Sequence, residues 1–318
     1  MGSKPRAWKR LTTVLKWLIA GAVLFYLFYQ VDREKLLAAL TSARLEIYLP
    51  LAVSFVLIWF LVESQNLMFL FNMFGHDLTF KEMRFIRGAS YMLMIINYNL
   101  GLGAIAWYLK RRNGIALTRA GSVMFFYYFV ESVGITFFAM AGCLLIYGQS
   151  PVIYGKIILI AAAMFFSYIA LFFLVRLLPS YGWFTDLRKS ALMAAFYEAD
   201  FKNYLFLSGF RTVYFASFVI FFHLGLKSFD VHVPLFSLIG LVPVIFFIGN
   251  IPVTPFGIGT IQAAMVFFFK SFGPEENILS FSMVYSATLL FMRAPIGFFY
   301  MRETKTGLSD LKAMEAEL

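Results

Sequence analysis

The 318 residues carry a formal net charge of +10, yet only 14% are charged and 61% are hydrophobic, with a mean hydropathy of +0.78. This composition excludes a sizeable soluble domain and predicts an all-α polytopic membrane protein forming a single integral membrane domain over residues 1–318. The basic residues lie in short clusters beside apolar segments, which is a topological signal, and no basic stripe of the kind that binds nucleic acid is present.

The residues that usually carry chemistry are sparse. Cys143 is the single cysteine, and His76, His223 and His232 share no metal-ligand spacing, so we expect no disulfide, no metal and no cofactor. The sequence contains no phosphate-binding loop, and it contains no pairing of a nucleophile with a base. We therefore expect a protein that is not an enzyme.

The hydropathy pattern predicts six full spans, at about 11–30, 47–73, 120–147, 157–178, 204–224 and 278–301. The first span follows a basic N-terminus without a small-residue cleavage site, so we expect it to remain uncleaved with its basic end in the cytoplasm. Residues 32–43 and 183–200 place apolar side chains on one helical face, which is typical of helices lying on the membrane surface.

Two further apolar stretches are interrupted. Residues 85–109 are interrupted by Asn97, Asn99, Gly101 and Gly103, and residues 234–272 contain prolines and glycines midway. Non-helical backbone at membrane depth persists only where protein or a water-lined cavity satisfies its polar groups, so each break indicates a site. The alternative is a kinked helix that crosses once.

The distribution of Lys and Arg favours re-entrant hairpins over single crossings. If both interrupted stretches enter and leave on the same side, 19 of the 27 Lys and Arg residues fall on the cytoplasmic side and 6 fall outside. The first hairpin then dips from the cytoplasm, the second dips from the outer face, and both termini are cytoplasmic.

The two breaks also resemble each other. The run NLGLGAI at residues 99–105 aligns with PFGIGTI at residues 255–261, and each run lies between two predicted spans. The repeat units, about 47–147 and 204–301 joined by the span 157–178, then have opposite orientations, as in secondary transporters. This assigns Pro255, Gly257 and Gly259, with Asn99, Gly101 and Gly103, to substrate binding through free backbone N–H groups at helix ends. Close helix packing is the competing use of such glycines.

Four charged residues fall inside predicted spans: Glu63 and Glu131 in the first repeat unit, and Arg211 and Arg293 in the second. A charge at membrane depth costs roughly 2.5 kcal/mol or more, so it normally faces the protein interior and has a partner. Ion pairs between the repeats would act as gates, or the arginines would bind a lipid phosphate. A static pair, or an arginine that reaches the interface, is the alternative.

The chain resembles the lysylphosphatidylglycerol synthase transmembrane, or flippase-like, family. The similarity rests on PFGIGTIQAA at residues 255–264, on residues 99–103, on the basic run YLKRRNG at residues 108–114, and on the position of Glu131. It implies a membrane protein that binds and translocates a lipid with a polar head group. In some members this domain is fused to an aminoacyl-lipid synthase, and here we expect the membrane domain only.

This sequence departs from the family pattern at charged positions. Asn99 replaces a proline, Ala104 an acid and Trp107 an arginine, and in the second motif Gln262 replaces a glutamate and Ile261 an arginine. Because Gln262 keeps the shape and the hydrogen bonding of glutamate, we assign it to substrate binding. The breaks are therefore expected to bind through backbone groups more than through titrating ones.

Together these patterns predict a lipid flippase, or a transporter of a lipid-linked substrate, in a prokaryotic cytoplasmic membrane, working by alternating access on a lipid with an anionic head group. One alternative is a non-transporting subunit that presents a lipid to a separate glycosyltransferase or lipid-modifying enzyme. Another is an enzyme that itself transfers a group onto a lipid carrier, although the sequence contains no clustered carboxylates that would serve it.

Overall fold

The structure is a computed structural model that describes residues 25, 33–96, 98–177, 191–251, 254 and 258–304. Within these residues it contains eleven α-helices, two short 3-10 turns and no β-strand. The helices are α1 (Arg33–Ser42), α2 (Leu45–Met73), α3 (Phe80–Ile96), α4 (Tyr98–Asn113), α5 (Leu117–Leu145), α6 (Pro151–Leu177), α7 (Ala194–Glu198), α8 (Phe201–Lys227), α9 (Leu235–Asn250), α10 (Thr260–Phe269) and α11 (Glu275–Thr304). The all-α class is thereby confirmed for the described part of the chain.

Five helices are long and apolar enough to cross a membrane: α2, α5, α6, α8 and α11. They correspond to five of the six predicted spans, whereas the first predicted span, 11–30, lies outside the described residues except for Phe25. Helix α6 begins at Pro151, six residues before the predicted start. Proline suits the first turn of a helix, where its missing N–H would have no partner, so it sets this earlier start.

The two predicted surface stretches are helical where they are described. Helix α1 buries Leu36 and Ala39 and leaves Leu37 63% exposed. In the second stretch, residues 183–190 lie outside the described residues, and the remainder forms a 3-10 turn and α7. Helix α7 is attached to α5, because the backbone N–H of Ala195 donates to the Ser122 hydroxyl at 2.9 Å. Their position at a membrane surface stays a prediction.

Helices α3 and α4 form an antiparallel pair, called here the first hairpin. At its closed end, Gly101 lies against Met94, and a Cβ on Gly101 would lie 2.7 Å from the Met94 backbone nitrogen. At its open end, the Asn113 amide donates to Glu82 at 2.9 Å, and the Arg112 guanidinium lies 3.8 Å from the Phe85 ring centroid. The two helices are therefore in contact at both ends of the hairpin.

The predicted position of this first break is wrong. Helix α3 ends at Ile96 and α4 begins at Tyr98, so Gly101 and Gly103 lie inside α4. The physical reason is the close approach at Met94: Gly101 is needed where the two backbones pack, and it does not make the turn itself.

Helices α9 and α10 form the second hairpin, in which the two arms pack against each other. The predicted break is confirmed between Asn250 and Thr260, although Pro255 and Gly257 lie outside the described residues. Gly259 has φ +84°, a conformation that L side chains rarely adopt, and it immediately precedes α10. With arms of 16 and 10 residues, about 24 and 15 Å, neither arm crosses a hydrocarbon core of about 30 Å. Return to the same membrane face stays a prediction for both hairpins.

The chain divides into two compact units. Unit one comprises residues 33–52, Phe138–Leu159 and Phe215–Thr288, and unit two comprises Val53–Phe137, Ile160–Tyr214 and residues 289–304. Helices α2, α5, α6, α8 and α11 each contribute one end to each unit, whereas the first hairpin belongs to unit two and the second to unit one.

Each unit has its own buried core. In unit one, the Tyr48 hydroxyl shares a hydrogen bond of 3.2 Å with Thr288, and the Tyr48 ring packs edge-on against Phe229 and Phe281. In unit two, Phe71 and Phe126 are completely buried, and Met83 and Leu109 bring the first hairpin into the same cluster. The first hairpin is therefore an integral part of the core of unit two.

Gly101→Ala is expected to destabilise the protein, whereas Gly209→Ala is not. Both glycines are helical, so both gain the propensity of alanine, about 0.5–1 kcal/mol. A Cβ on Gly209 meets nothing within 4 Å, but one on Gly101 overlaps Met94. Overpacking of this kind costs about 1–3 kcal/mol. Thermal unfolding of the purified variants in detergent measures the difference, and equal melting temperatures would contradict the close approach.

The contacts of Glu82 at the open end of the first hairpin are expected to stabilise the fold less in acid. The hydroxyl and then the backbone N–H of Thr79 donate to Glu82 and lower its pKa below the ordinary 4.5. A carboxylate with a lowered pKa stabilises the folded state above the unfolded pKa, and this contribution is lost as pH falls through the folded pKa. At pH 7 the wild type should melt at a higher temperature than Glu82→Gln. This difference should shrink below about pH 4.5. Exposed Glu46→Gln, in the first turn of α2, is the control.

Candidate functional site

A buried ion pair attaches the first hairpin to α2. The Arg87 guanidinium donates two hydrogen bonds to one oxygen of Glu63, at 2.6 and 2.9 Å, and the Tyr91 hydroxyl donates to the same oxygen at 2.9 Å. The side chains of Arg87 and Glu63 are 9% and 15% exposed. Three donors on one desolvated carboxylate oxygen hold α3 in a defined position against α2.

A second ion pair connects α5 to α8. The Arg211 guanidinium lies 2.6 Å from the Glu131 carboxylate and donates to the Tyr127 hydroxyl at 3.0 Å. Its charged carbon lies 5.2 and 5.0 Å from the ring centroids of Tyr127 and Tyr214, which is cation–π distance. The Arg211 side chain is only 6% exposed, so its charge is compensated almost entirely by protein groups.

A narrow cleft of about 230 Å³ joins the two pairs. Its lining includes Glu63 of the first pair and Arg211 of the second, with Trp59 and Asn66 on the α2 wall. The Asn66 amide donates to the Tyr127 hydroxyl at 3.4 Å, while its carbonyl oxygen is buried and, within the described part of the chain, has no hydrogen-bond partner. The cleft therefore contains an acceptor that is available to a water molecule.

Arg293 is the third arginine near these groups of unit two. It lies within about 6 Å of the midpoint of the 30-residue helix α11, and its guanidinium carbon is 5.3 Å from the Tyr91 ring centroid. The same ring lies 5.0 Å from the Arg87 guanidinium, so Tyr91 has two cations against it. Among the described residues, Arg293 makes no ion pair, in contrast to Arg87 and Arg211.

These five residues, Glu63, Arg87, Glu131, Arg211 and Arg293, are called here the charge cluster. It contains three positive and two negative side chains, and both negative ones are engaged. Its uncompensated positive charge resides on Arg293, so the cluster is suited to an anion.

The tip of the second hairpin is polar but uncharged where it is described. The Gln262 side-chain oxygen accepts from the Gly259 N–H at 2.7 Å, and its amide donates to the Ser286 hydroxyl at 2.8 Å. The hydroxyls of Thr254 and Thr260 share a hydrogen bond of 2.8 Å. The expectation of a free Gly259 N–H is therefore wrong, because the glutamine that follows caps its own helix.

The structure brings together part of the predicted charge set. Glu131 pairs with Arg211, as the hypothesis of ion pairs between the repeats allowed, whereas Glu63 pairs with Arg87. Arg87 was missed because it was counted with the cytoplasmic loop charges. Its position inside the apolar stretch 85–109, one helical turn before Tyr91, was the available signal. The side chain of Asn99, like Pro255 and Gly257, lies outside what the structure describes.

Residues 13–297 match the protein family described as the lysylphosphatidylglycerol synthase TM region. The match covers every described helix apart from the last turns of α11, and no other domain accompanies it. Comparison with curated proteins gives no match.

Breaking the pair between Glu63 and Arg87 is expected to cost about 3–5 kcal/mol, because the remaining partner is left charged and buried. Arg87→Met and Glu63→Gln should each lower the melting temperature strongly, and the double variant should lose less than the sum of the two. Thermal unfolding in a double-mutant cycle measures this coupling.

The control is the pair of Arg44 and Asp230, in which the side chains are 58% and 54% exposed and the shortest contact is 3.4 Å. An exposed pair is worth about 0–1 kcal/mol. A coupling for Glu63 and Arg87 as small as the one for Arg44 and Asp230 would contradict the structural role of the buried pair.

Proposed function

The chain belongs to the lysylphosphatidylglycerol synthase transmembrane family, and from that premise we propose that it moves a lipid with an anionic head group between the two leaflets of a membrane. The family makes it an integral membrane protein related to lipid handling. The observation that carries the finer proposal is Arg293, a cation near the middle of a membrane helix without an acidic partner among the described residues.

An uncompensated guanidinium at membrane depth favours a phosphate ligand. A charged side chain there costs roughly 2.5 kcal/mol or more, and a compensating anion reduces this cost. The planar guanidinium donates two parallel hydrogen bonds to phosphate oxygens, which a lysine does not do. Tyr91 supports the orientation of Arg293 through ring contact, and Tyr91 is in turn fixed by its bond to Glu63.

We propose that the lipid moves by alternating access, and that each of the two ion pairs holds two elements together until it breaks. The pair of Glu63 and Arg87 joins the first hairpin to α2, and the pair of Glu131 and Arg211 joins α5 to α8. A displacement of the hairpin relative to α2 breaks one pair and exposes Glu63 and Arg87 to the cleft or to solvent.

The orientation and location follow from the same proposal. The excess of Lys and Arg in the segments assigned to the cytoplasm supports a cytoplasmic position for both termini, and a prokaryotic cytoplasmic membrane is the proposed location. We also propose that the chain moves its lipid without modifying it. Where a modifying enzyme acts on the same lipid, it would be a separate partner.

The proposal is tested with purified protein reconstituted into vesicles that contain fluorescent phosphatidylglycerol or, in parallel, fluorescent phosphatidylcholine. We expect protein-dependent movement of the anionic lipid, measured by chemical quenching of the outer leaflet. Arg293→Ala should slow that movement at least about tenfold, the loss of one charge-assisted contact of about 1.4 kcal/mol. Arg293→Lys should keep part of the rate, and exposed Arg44→Ala should keep all of it.

Two results would overturn the proposal in different ways. If Arg293→Ala moves lipid at the wild-type rate, the site is wrong. If the wild type moves neither lipid but copurifies with a lipid-modifying enzyme, the chain is a presenting subunit. Chemical turnover of the lipid by the purified chain would assign it to the enzymes instead.

A further inference from the structure

A second cleft lies in unit one, and none of its lining residues belongs to the charge cluster. Its empty volume, open to solvent on one side, is about 620 Å³. It is bounded by the connection between α5 and α6 and by the C-terminal end of α10 with the residues that follow. Nothing in the proposed movement of lipid uses this cleft.

The rim of the cleft is cationic and rich in hydrogen-bonding groups. It carries Lys270, the hydroxyls of Ser150 and Ser271, and the amide of Gln149. None of the described residues that line it is acidic. Ser150 directly precedes the 27-residue helix α6, so the positive end of that helix dipole adds to the Lys270 charge. An ammonium group with two hydroxyls and a helix N-terminus suits a phosphate oxygen cluster.

The interior of the same cleft is apolar. Tyr154 of α6 and Phe268 of α10 stack with ring centroids 6.4 Å apart and form its buried floor. Ile153 and Phe267, beside them, are 37% and 44% exposed. The lining therefore offers hydrocarbon contact beside charge, since the Lys270 ammonium lies 5.5 Å from the Phe267 ring centroid.

The position of the cleft, at the ends of two apolar helices, indicates the kind of ligand that it binds. Helix α6 is a candidate membrane span that starts at Pro151, and α10 ends at Phe269, so the cleft lies where apolar helices meet polar connections. Such a boundary corresponds to the head-group level of a bilayer. A ligand that fits both parts has a phosphodiester and a hydrocarbon chain.

We propose that this cleft is a binding site for an anionic phospholipid, with the phosphodiester at Lys270, Ser150 and Ser271 and an acyl chain along Ile153 and Phe267. The lipid is held between α6 and the second hairpin, and so stabilises the position of α10. This site is independent of the movement of lipid past Arg293, and it is present whether or not the protein transports.

The test uses full-length protein in nanodiscs that contain radiolabelled phosphatidylglycerol or phosphatidylcholine, with the photocrosslinking residue p-benzoylphenylalanine at position 153. The same residue at position 159 is the control, because Leu159 is 71% exposed on α6 but does not line the cleft. We expect crosslinking at position 153, and not at position 159, to favour phosphatidylglycerol. Lys270→Gln should reduce that preference about fivefold, the effect of one lysine near an anionic lipid surface. Lys156→Gln, an exposed lysine of α6 outside the cleft, should not change it.

Equal crosslinking of both lipids at position 153, or an unchanged preference in Lys270→Gln, would overturn the proposal. Inorganic phosphate, at an ionic strength matched with chloride, should not displace the lipid. Complete displacement by phosphate would assign the cleft to a soluble phosphate compound and overturn the lipid assignment.

Discussion

The buried carboxylate of Glu63 is the constraint on which unit two depends. A buried carboxylate and guanidinium are tolerated when they form a hydrogen-bonded pair, and here Arg87 and Tyr91 supply three donors to one Glu63 oxygen. This requirement fixes α3 against α2, and with α3 it fixes the whole first hairpin. It also fixes the Tyr91 ring against which Arg293 lies. The ion pair thus determines the geometry around the one arginine of the cluster that has no acidic partner among the described residues.

The two hairpins are stabilised by different kinds of contact. The first contains charged residues in its arms and relies on Gly101 for close packing against Met94. The second has no charge at its described tip, and it satisfies the Gly259 N–H with the side chain of Gln262. A glutamine in place of a glutamate still caps the helix, because capping needs only an acceptor oxygen, and its amide gains a bond to Ser286 that a carboxylate does not donate.

Periodicity and hydropathy predicted the features that depend on one helix at a time: the five described spans, the second break and the existence of a first break. Features that depend on contacts between helices were predicted less well. Glu131 and Arg211 were identified because isolated charges in apolar runs require partners. The pairing of Glu63 with Arg87 depends on which helices are neighbours, and the linear sequence does not contain that information. A break at the glycines was predicted, whereas Gly101 lies inside α4. Glycine serves both turns and tight packing, and composition does not distinguish these uses.

The unequal number of acids and bases in the charge cluster has an electrical consequence. With an anionic lipid on Arg293 the cluster and its cargo are neutral, so a membrane potential neither drives nor opposes movement of the loaded form. Without lipid the cluster has one excess positive charge, and displacing it across the full potential involves about 2.3 kcal/mol per 100 mV. On the proposed function, voltage would act on the return of the empty protein and would thereby set the direction of net flow.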